Sequence, residues 1–291
     1  MFLAPITRWL TTAALVLAVA ACSTVRIAYY GADYFIHQYA DDYLGLDQNL
    51  LAAWKPHLDA ALARHKAEEL PYLARFFDNA LKGAEQGFDE AKVSCLQDQL
   101  LEIYRRHAEL AIDLAVPLLA ASGPTQAHTL ETKFREDWGE KTGADPESVA
   151  RRDRKRAERY ADASRWWIGG LTPAQEAMVT SATAAMPDTA PAWDAYHRTR
   201  QKGLVQLLRK GASETRLRTY LTDWLVEFKG MPGSLDAARH SIRKAISALV
   251  VNLTRSFSPK QKAHLEERLR GLRDDFMALQ SRPHLAGQVC R

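Results

Sequence analysis

The residues of this chain whose chemistry is easiest to interpret are its three cysteines, Cys22, Cys95 and Cys290. Cys22 ends an apolar run that extends from Trp9 to Ala21 behind a single basic residue, Arg8. An apolar run of roughly a dozen residues is too short to span a bilayer as a helix and is typical of a secretory signal peptide. The pattern therefore predicts export.

The end of this signal resembles the lipobox of bacterial lipoproteins, because Val19-Ala20-Ala21-Cys22 fits it at all four positions. The resemblance implies removal of residues 1–21, acylation of the Cys22 thiol and of the new N-terminus, and a mature chain of residues 22–291. Each buried CH₂ contributes about 0.8 kcal/mol, so several acyl chains make detachment negligible. Ser23 in place of Asp implies sorting to the outer membrane, with the protein facing the periplasm. The alternative is an ordinary secretory signal with an incidental cysteine.

Lipidation of Cys22 would leave Cys95 and Cys290 as the two remaining thiols. Two leftover cysteines in an oxidising compartment can pair, which predicts a Cys95–Cys290 disulfide. Residues 281–291 are expected to form a loose tail that carries Cys290. The alternative to the disulfide is a buried Cys95 beside Leu96, with Cys290 free on this tail.

The histidines and carboxylates show no spacing that is typical of catalysis or metal binding. His57 and His65 lie two helical turns apart, and His107 lies on an apolar stripe, which favours a hydrogen-bonded core histidine. Asp41 and Asp42 are neighbours that point about 100° apart on a helix, which favours a cap or a solvated pair. No H-E-x-x-H, G-x-S-x-G, Walker A or G-x-G-x-x-G motif occurs. We therefore expect no enzyme activity, no metal and no cofactor.

The densest charge run is basic and lies on a predicted helix over residues 146–167. It consists of Arg151, Arg152, Arg154, Lys155, Arg156 and Arg159. One interpretation is a solvated helix face. The other is a binding surface for anionic lipid headgroups, lipopolysaccharide phosphates or an acidic protein client. Trp166-Trp167 follows the run, and we expect one indole in the core and the other exposed.

The charge balance argues against a nucleic-acid partner. The chain of 291 residues has a formal net charge of +4. Removal of residues 1–21 removes one positive charge, that of Arg8, and leaves +3, which is too small for a nucleic-acid signature. No second apolar run reaches about 18 residues, so no transmembrane helix is expected.

Helical periodicity dominates the rest of the chain, and alternating β-branched runs are missing. The pattern predicts an all-α fold, an antiparallel multi-helix assembly that could be elongated and could divide near Gly169-Gly170. The first mature segment, residues 26–44, is rich in aromatic residues. Two interpretations stay open for it: an aromatic belt at the membrane interface beside the lipid anchor, and an N-terminal helix packed on the body.

One type of helix start recurs along the chain. Leu171-Thr172-Pro173-Ala174-Gln175 reappears as Phe257-Ser258-Pro259-Lys260-Gln261. The hydroxyl residue caps the helix, proline occupies the first turn, and glutamine reaches back to the N–H of the cap residue. The pattern predicts two capping boxes.

These features together resemble one family, the Gram-negative lipoproteins with an all-helical domain of unknown function. The resemblance covers most of the mature chain and rests on the lipobox, Tyr39-Ala40-Asp41-Asp42-Tyr43, the helix from Trp54 to His65, Glu68-Glu69-Leu70-Pro71, the basic helix and the Thr172 helix start. Leu171-Thr172-Pro173-Ala174-Gln175 is also similar to the short L-T-x-x-Q motif of periplasmic chaperones of the Spy and CpxP type.

The resulting functional hypothesis is a non-enzymatic envelope lipoprotein that binds other proteins as a chaperone or adaptor. The membrane, through the N-terminal lipid, and envelope protein clients would be its partners. Two alternatives belong to other classes: an enzyme acting on peptidoglycan, and a structural tether between the outer membrane and the cell wall.

Overall fold

The computed structural model describes residues 24–138 and 145–290. Within these residues every regular element is helical and no β-strand occurs. The predicted all-α fold class is therefore confirmed. In the same part of the chain, no helix is both long enough and apolar enough to cross a bilayer.

The helices before the first gap are α1 (Thr24–Tyr30), α2 (Ala32–Leu44), α3 (Gln48–Arg64), α4 (Leu70–Gln86), α5 (Glu90–Ala121) and α6 (Pro124–Asp137). Those after it are α7 (Pro146–Ile168), α8 (Pro173–Ala184), α9 (Ala190–Arg209), α10 (Glu214–Leu225), α11 (Gly233–Arg255) and α12 (Pro259–Ala278). A π-helical segment, His65–Glu69, joins α3 directly to α4. Such wider turns shift the register of the side chains that follow them and are frequent at functional sites.

Local sequence explains where several helices begin. The carboxylates of Asp47, Asp89 and Asp145 cap α3, α5 and α7 by accepting hydrogen bonds from backbone N–H groups of the first turn. A side-chain acceptor at this position satisfies donors that have no partner inside the helix, and its loss typically costs about 1 kcal/mol.

The largest core lies between α2, α3, α5, α6, α9 and α10. Trp54 of α3 is buried there, and its indole N–H donates a hydrogen bond of 2.9 Å to the carbonyl of Leu114 in α5. Val116 and Leu217 are fully buried in the same cluster. Burial of one such aliphatic side chain contributes about 1.5–3 kcal/mol, so this core fixes the relative positions of the six helices.

A second core joins distant parts of the chain. Leu81 of α4, Ile168 at the end of α7 and Leu269 of α12 are buried together. A third, smaller cluster packs Val179 of α8 against Leu249 and Leu253 of α11. The second and third cores share the partly buried side chains of Leu171 and Phe257, which precede the two recurring helix starts.

The C-terminal segment is docked, so the expectation of a loose tail is wrong. Asn79 of α4 and Gln99 of α5 both donate side-chain hydrogen bonds to the carbonyl of Gln288, at 2.9 and 2.6 Å. The N–H of Ala286 also donates to the carbonyl of Pro71. These bonds involve backbone groups of the segment, at Gln288 and Ala286. Backbone groups leave no pattern of side chains in the sequence, so the docking could not be predicted from apolar periodicity.

The connection between α7 and α8 contains Gly169-Gly170, where a subdivision of the chain was predicted. Gly169 adopts a left-handed conformation with φ of 83° and ends α7, its N–H bonding to the carbonyl of Arg165. This is the backbone region in which glycine carries no steric penalty. The glycine pair therefore acts as a helix stop, and the subdivision stays a prediction.

Candidate functional sites

Cys22 and the lipobox lie outside the described residues, which begin at Thr24. Lipidation therefore stays a prediction. The other two cysteines lie close together. Cys95 of α5 and Cys290 of the C-terminal segment are joined by a disulfide, with their Cα atoms 5.7 Å apart. This bond attaches the end of the chain to α5, beside the hydrogen bonds that hold Gln288.

The recurring helix starts are capping boxes, as predicted. The Thr172 hydroxyl accepts from the N–H of Gln175, whose side-chain oxygen in turn accepts from the N–H of Thr172 at 2.9 Å. Ser258 and Gln261 repeat the arrangement at the start of α12, again with 2.9 Å between the Ser258 nitrogen and the glutamine Oε1. Each glutamine thus satisfies one backbone donor of its own helix.

The two capping boxes also bind each other, which the sequence did not predict. Gln261 Nε2 donates to Gln175 Oε1 at 2.8 Å, and Gln175 Nε2 donates back to Gln261 Oε1 at 3.2 Å. Gln175 also donates to the Ser256 hydroxyl, and Gln261 to the carbonyl of Gly170. Both amides are buried. A buried network in which every donor and acceptor has a partner specifies one arrangement, so the motif joins α8 to α12.

The six basic residues of the run between Arg151 and Arg159 in α7 separate into two groups. Arg152 and Arg156 are half-buried and form ion pairs with Asp188 and Asp153, at 2.6 and 2.8 Å. These two side chains serve the packing of α7 rather than an external partner.

The remaining four basic residues form an exposed surface, here named the basic face and consisting of Arg151, Arg154, Lys155 and Arg159. Positions three and four apart in a helix share one side, so the four groups point in one direction. None of them forms an ion pair with another described residue. Trp166 continues the same side of α7 and is 48% exposed, with the Arg268 guanidinium 4.2 Å from its ring centre. Trp167 instead packs against the second core.

A polar cluster that the sequence did not predict surrounds the π-helical segment. His107 Nδ1 lies 2.7 Å from the carbonyl of Ile103, which can only accept, so this nitrogen carries the proton. His107 Nε2 lies 3.1 Å from His65 Nε2, so one of these two nitrogens donates to the other. His65 Nδ1 lies 3.3 Å from the Tyr29 hydroxyl. This chain of hydrogen bonds connects α1 to α5.

Burial, followed by the effect of the neighbouring His107, lowers the pKa of His65 from its ordinary value of 6.5 to about 4, and Glu69 opposes the shift. A histidine with a depressed folded-state pKa binds a proton more readily when unfolded, so stability should fall as the pH drops from about 6.5 to about 4. The loss should reach up to about 3 kcal/mol.

Urea unfolding across this pH range measures the effect. In His65→Gln the free energy of unfolding should decline less steeply with falling pH than in the wild type, because the contribution of the His65 imidazole is lost. His57→Gln, a change at an exposed position of the same helix, should retain the wild-type slope. An equal slope in wild type and His65→Gln would contradict the assignment.

The same segment holds a buried ion pair. Glu69 is 2% exposed, and its carboxylate accepts two hydrogen bonds from the Arg106 guanidinium, at 2.7 and 2.9 Å. The guanidinium also lies 3.9 Å from the ring centre of Tyr72. A carboxylate in such a position needs its partner, because a lone buried charge is strongly unfavourable.

Residues 42–229 match the model of a family of unknown function, DUF6279. This segment extends over about two thirds of the chain and includes the buried ion pair, the two bonded histidines and the basic face. The chain belongs to the DUF6279 family. No curated protein and no solved structure matches the chain.

Two of the pairs described above extend beyond the DUF6279 segment, which contains one member of each. Gln175 and Cys95 lie inside it, whereas Gln261 and Cys290 lie beyond residue 229. Among the described residues, no group of three or more histidine, cysteine, aspartate or glutamate side chains is placed to hold a metal ion. In this DUF6279 chain the basic face is an exposed cluster of charged side chains that is open to an external partner.

Proposed function

We propose that this DUF6279 protein is an outer-membrane lipoprotein, anchored through Cys22 and facing the periplasm, that binds other envelope proteins as a chaperone or adaptor without catalysing a reaction. The lipobox supports the anchor. The likeness of the Thr172 helix start to the L-T-x-x-Q motif of the Spy and CpxP chaperones supports the protein-binding role.

The basic face is the observation that carries the protein-binding part of the proposal. Its charges lie on a rigid helix and have no carboxylate partner among the described residues, so they are available to an acidic client. From Arg151 to Trp166 the surface is about 22 Å long, at 1.5 Å per residue. A charged surface that ends at an exposed aromatic side chain favours weak, reversible binding of many clients.

Lipidation predicts a change in mass and in location. Mass spectrometry of the wild-type protein should find acyl chains on Cys22, and Cys22→Ser should give an unprocessed precursor or a soluble product. Wild-type protein with an unmodified Cys22 would end the anchoring proposal.

The basic face predicts client protection without ATP. The wild-type protein should slow aggregation of an unfolded acidic protein. Replacement of Arg154, Lys155 and Arg159 with Glu should raise the concentration needed by on the order of tenfold, since each surface charge pair contributes roughly 0.2–1 kcal/mol. Light scattering measures the effect, and circular dichroism checks that the helices persist.

A matched control changes the same number of charges elsewhere. Lys210, Arg216 and Lys244 are exposed on other helices or turns and form no ion pair with described residues, and their replacement with Glu should leave protection unchanged. If this variant loses as much protection as the basic-face variant, net charge and not the basic face is responsible.

Crosslinking and purification of the native protein would separate the other candidate functions. Discrete protein partners support the adaptor, peptidoglycan fragments support an enzyme, and bulk cell wall supports a tether. The result distinguishes the three classes without requiring the client to be known in advance.

A further inference from the structure

The first two helices expose an unusual amount of aromatic surface. Ile27, Tyr30, Tyr34, Phe35 and Tyr39 are between 56 and 76% exposed. These five residues, here named the aromatic face, lie within thirteen consecutive positions. The other large apolar side chains that the described residues expose are scattered: Leu100, Tyr104, Trp166 and Val289.

The opposite side of α2 is partly covered by the protein. Ile36, Ala40 and Tyr43 are partly buried and pack against the largest core. A surface helix normally carries its apolar residues on one side and polar residues on the other. This helix carries large apolar side chains on both sides, so packing on the core does not explain those on the outer side.

Side-chain bonds fix the orientation of this pair of helices. Arg26 forms an ion pair of 2.8 Å with Asp275 of α12, and the Tyr29 hydroxyl bonds to His65. Farther along, the Tyr43 hydroxyl donates to Asp137 at 2.7 Å. These bonds lie on the inner side and hold the aromatic face outward.

The two helices follow each other through the single residue Gly31 and are here together named the rod. The N–H of Gly31 donates to the carbonyl of Ile27 at the end of α1, and the N–H of Phe35 donates to the carbonyl of Gly31 at the start of α2. At 1.5 Å per residue, α1 is about 10 Å and α2 about 20 Å long. The aromatic face lies on the outer side of both helices.

The rod begins two residues after Cys22. Two residues of extended chain span at most about 7 Å, so an acylated Cys22 would place Thr24 next to the membrane surface. Three of the five side chains are tyrosines, whose ring is apolar and whose hydroxyl is polar, and such side chains concentrate at membrane–water interfaces. The charged residues on or beside the exposed side, Asp33 and Asp42, are acidic and would not attract anionic lipids.

We propose that the aromatic face inserts into the headgroup region of the membrane and lays the rod of residues 24–44 along its surface. The position of the membrane rests on the proposed anchoring through Cys22. Because the contact is aromatic and not cationic, it should form on neutral lipid and should depend little on salt.

Vesicle binding by the mature chain with Cys22→Ser, which has no acyl chains, tests the contact alone. We expect this protein to co-sediment with phosphatidylcholine vesicles at both low and high salt. Tyr30→Ser, Tyr34→Ser and Phe35→Ser together should weaken partitioning by about tenfold or more, since burial of one aromatic side chain corresponds to at least this factor. The control Leu100→Ser with Val289→Ser removes exposed apolar side chains elsewhere and should bind as the parent does.

Several outcomes would overturn the proposal. These are no binding to neutral vesicles, equal binding by the triple variant, or binding that disappears at high salt, which would indicate the basic face instead. Sedimentation without lipid provides a further test. If the parent protein is a dimer and the triple variant is a monomer, the aromatic face binds a second copy of the chain and the proposal is wrong. The mass of Cys22 in the native protein reports separately on anchoring, so failure of the anchor and failure of the aromatic contact are distinguishable.

Discussion

Glu69→Ala is expected to lower the free energy of unfolding by about 1.5–3 kcal/mol, because it removes the two charge-assisted hydrogen bonds between the buried carboxylate and the half-buried Arg106 guanidinium. For a protein of this size, each kcal/mol corresponds to roughly 2–4 °C in the melting temperature. Thermal or urea unfolding followed by circular dichroism measures the loss.

The neighbouring residue provides a matched control. Glu68 forms an exposed ion pair with Arg64 one turn away, so Glu68→Ala should cost about 0.5 kcal/mol or less. Replacement of Glu69 and Arg106 together with Met should recover part of the loss, because no charge is then left unpaired. If Glu69→Ala costs no more than Glu68→Ala, the buried pair does not have the role assigned to it.

Removal of the Cys95–Cys290 disulfide should lower stability by about 2–5 kcal/mol, since the bond closes a loop with a sequence separation of 195 residues. The variant Cys95→Ser with Cys290→Ser should show this loss in urea unfolding. Residues 281–290 should also become sensitive to protease, because hydrogen bonds such as those at Gln288, Ala286 and His284 would then hold them without a covalent link.

Comparison of oxidised and reduced wild-type protein provides the control. A lipidated, oxidised chain should contain no free thiol, and reduction should release the thiols of Cys95 and Cys290 only. Equal unfolding midpoints for the two forms would contradict a stabilising role for the bond.

Local features of this chain could be predicted because neighbouring residues determine them. The cap at Thr172 needs only an oxygen at the cap position and a glutamine three residues later, and both are visible in the sequence. The helical class follows in the same way from the spacing of apolar residues. The disulfide could be inferred by elimination, because two cysteines remained after Cys22.

Contacts between distant residues could not be predicted in this way. Nothing in the Gln175 helix start indicates that Gln261 lies within 2.8 Å of it, since that distance depends on the packing of the intervening helices. The sequence shows six of the basic residues of α7 as one run, from Arg151 to Arg159. Only the structure separates Arg152 and Arg156, which Asp188 and Asp153 neutralise, from the four that remain exposed.

Periodicity alone also did not decide whether the aromatic residues of segment 26–44 face the core or the solvent. Phe35 and Tyr39 are four apart and share one side of a helix whether that side faces the core or solvent. Their exposure, at 62 and 63%, depends on which side of α2 the core covers.

The packing of α4 against α12 has a consequence for the order of events during synthesis. The second core cannot form until α12 exists, and Pro259 follows Leu70 by about 190 residues. At translation rates of roughly 5–20 residues per second, α4 is synthesised about 10–40 s before α12, and its apolar side lacks its final partner during that time. We therefore expect the newly made protein to be prone to aggregation for that interval and to need assistance until α12 has been synthesised.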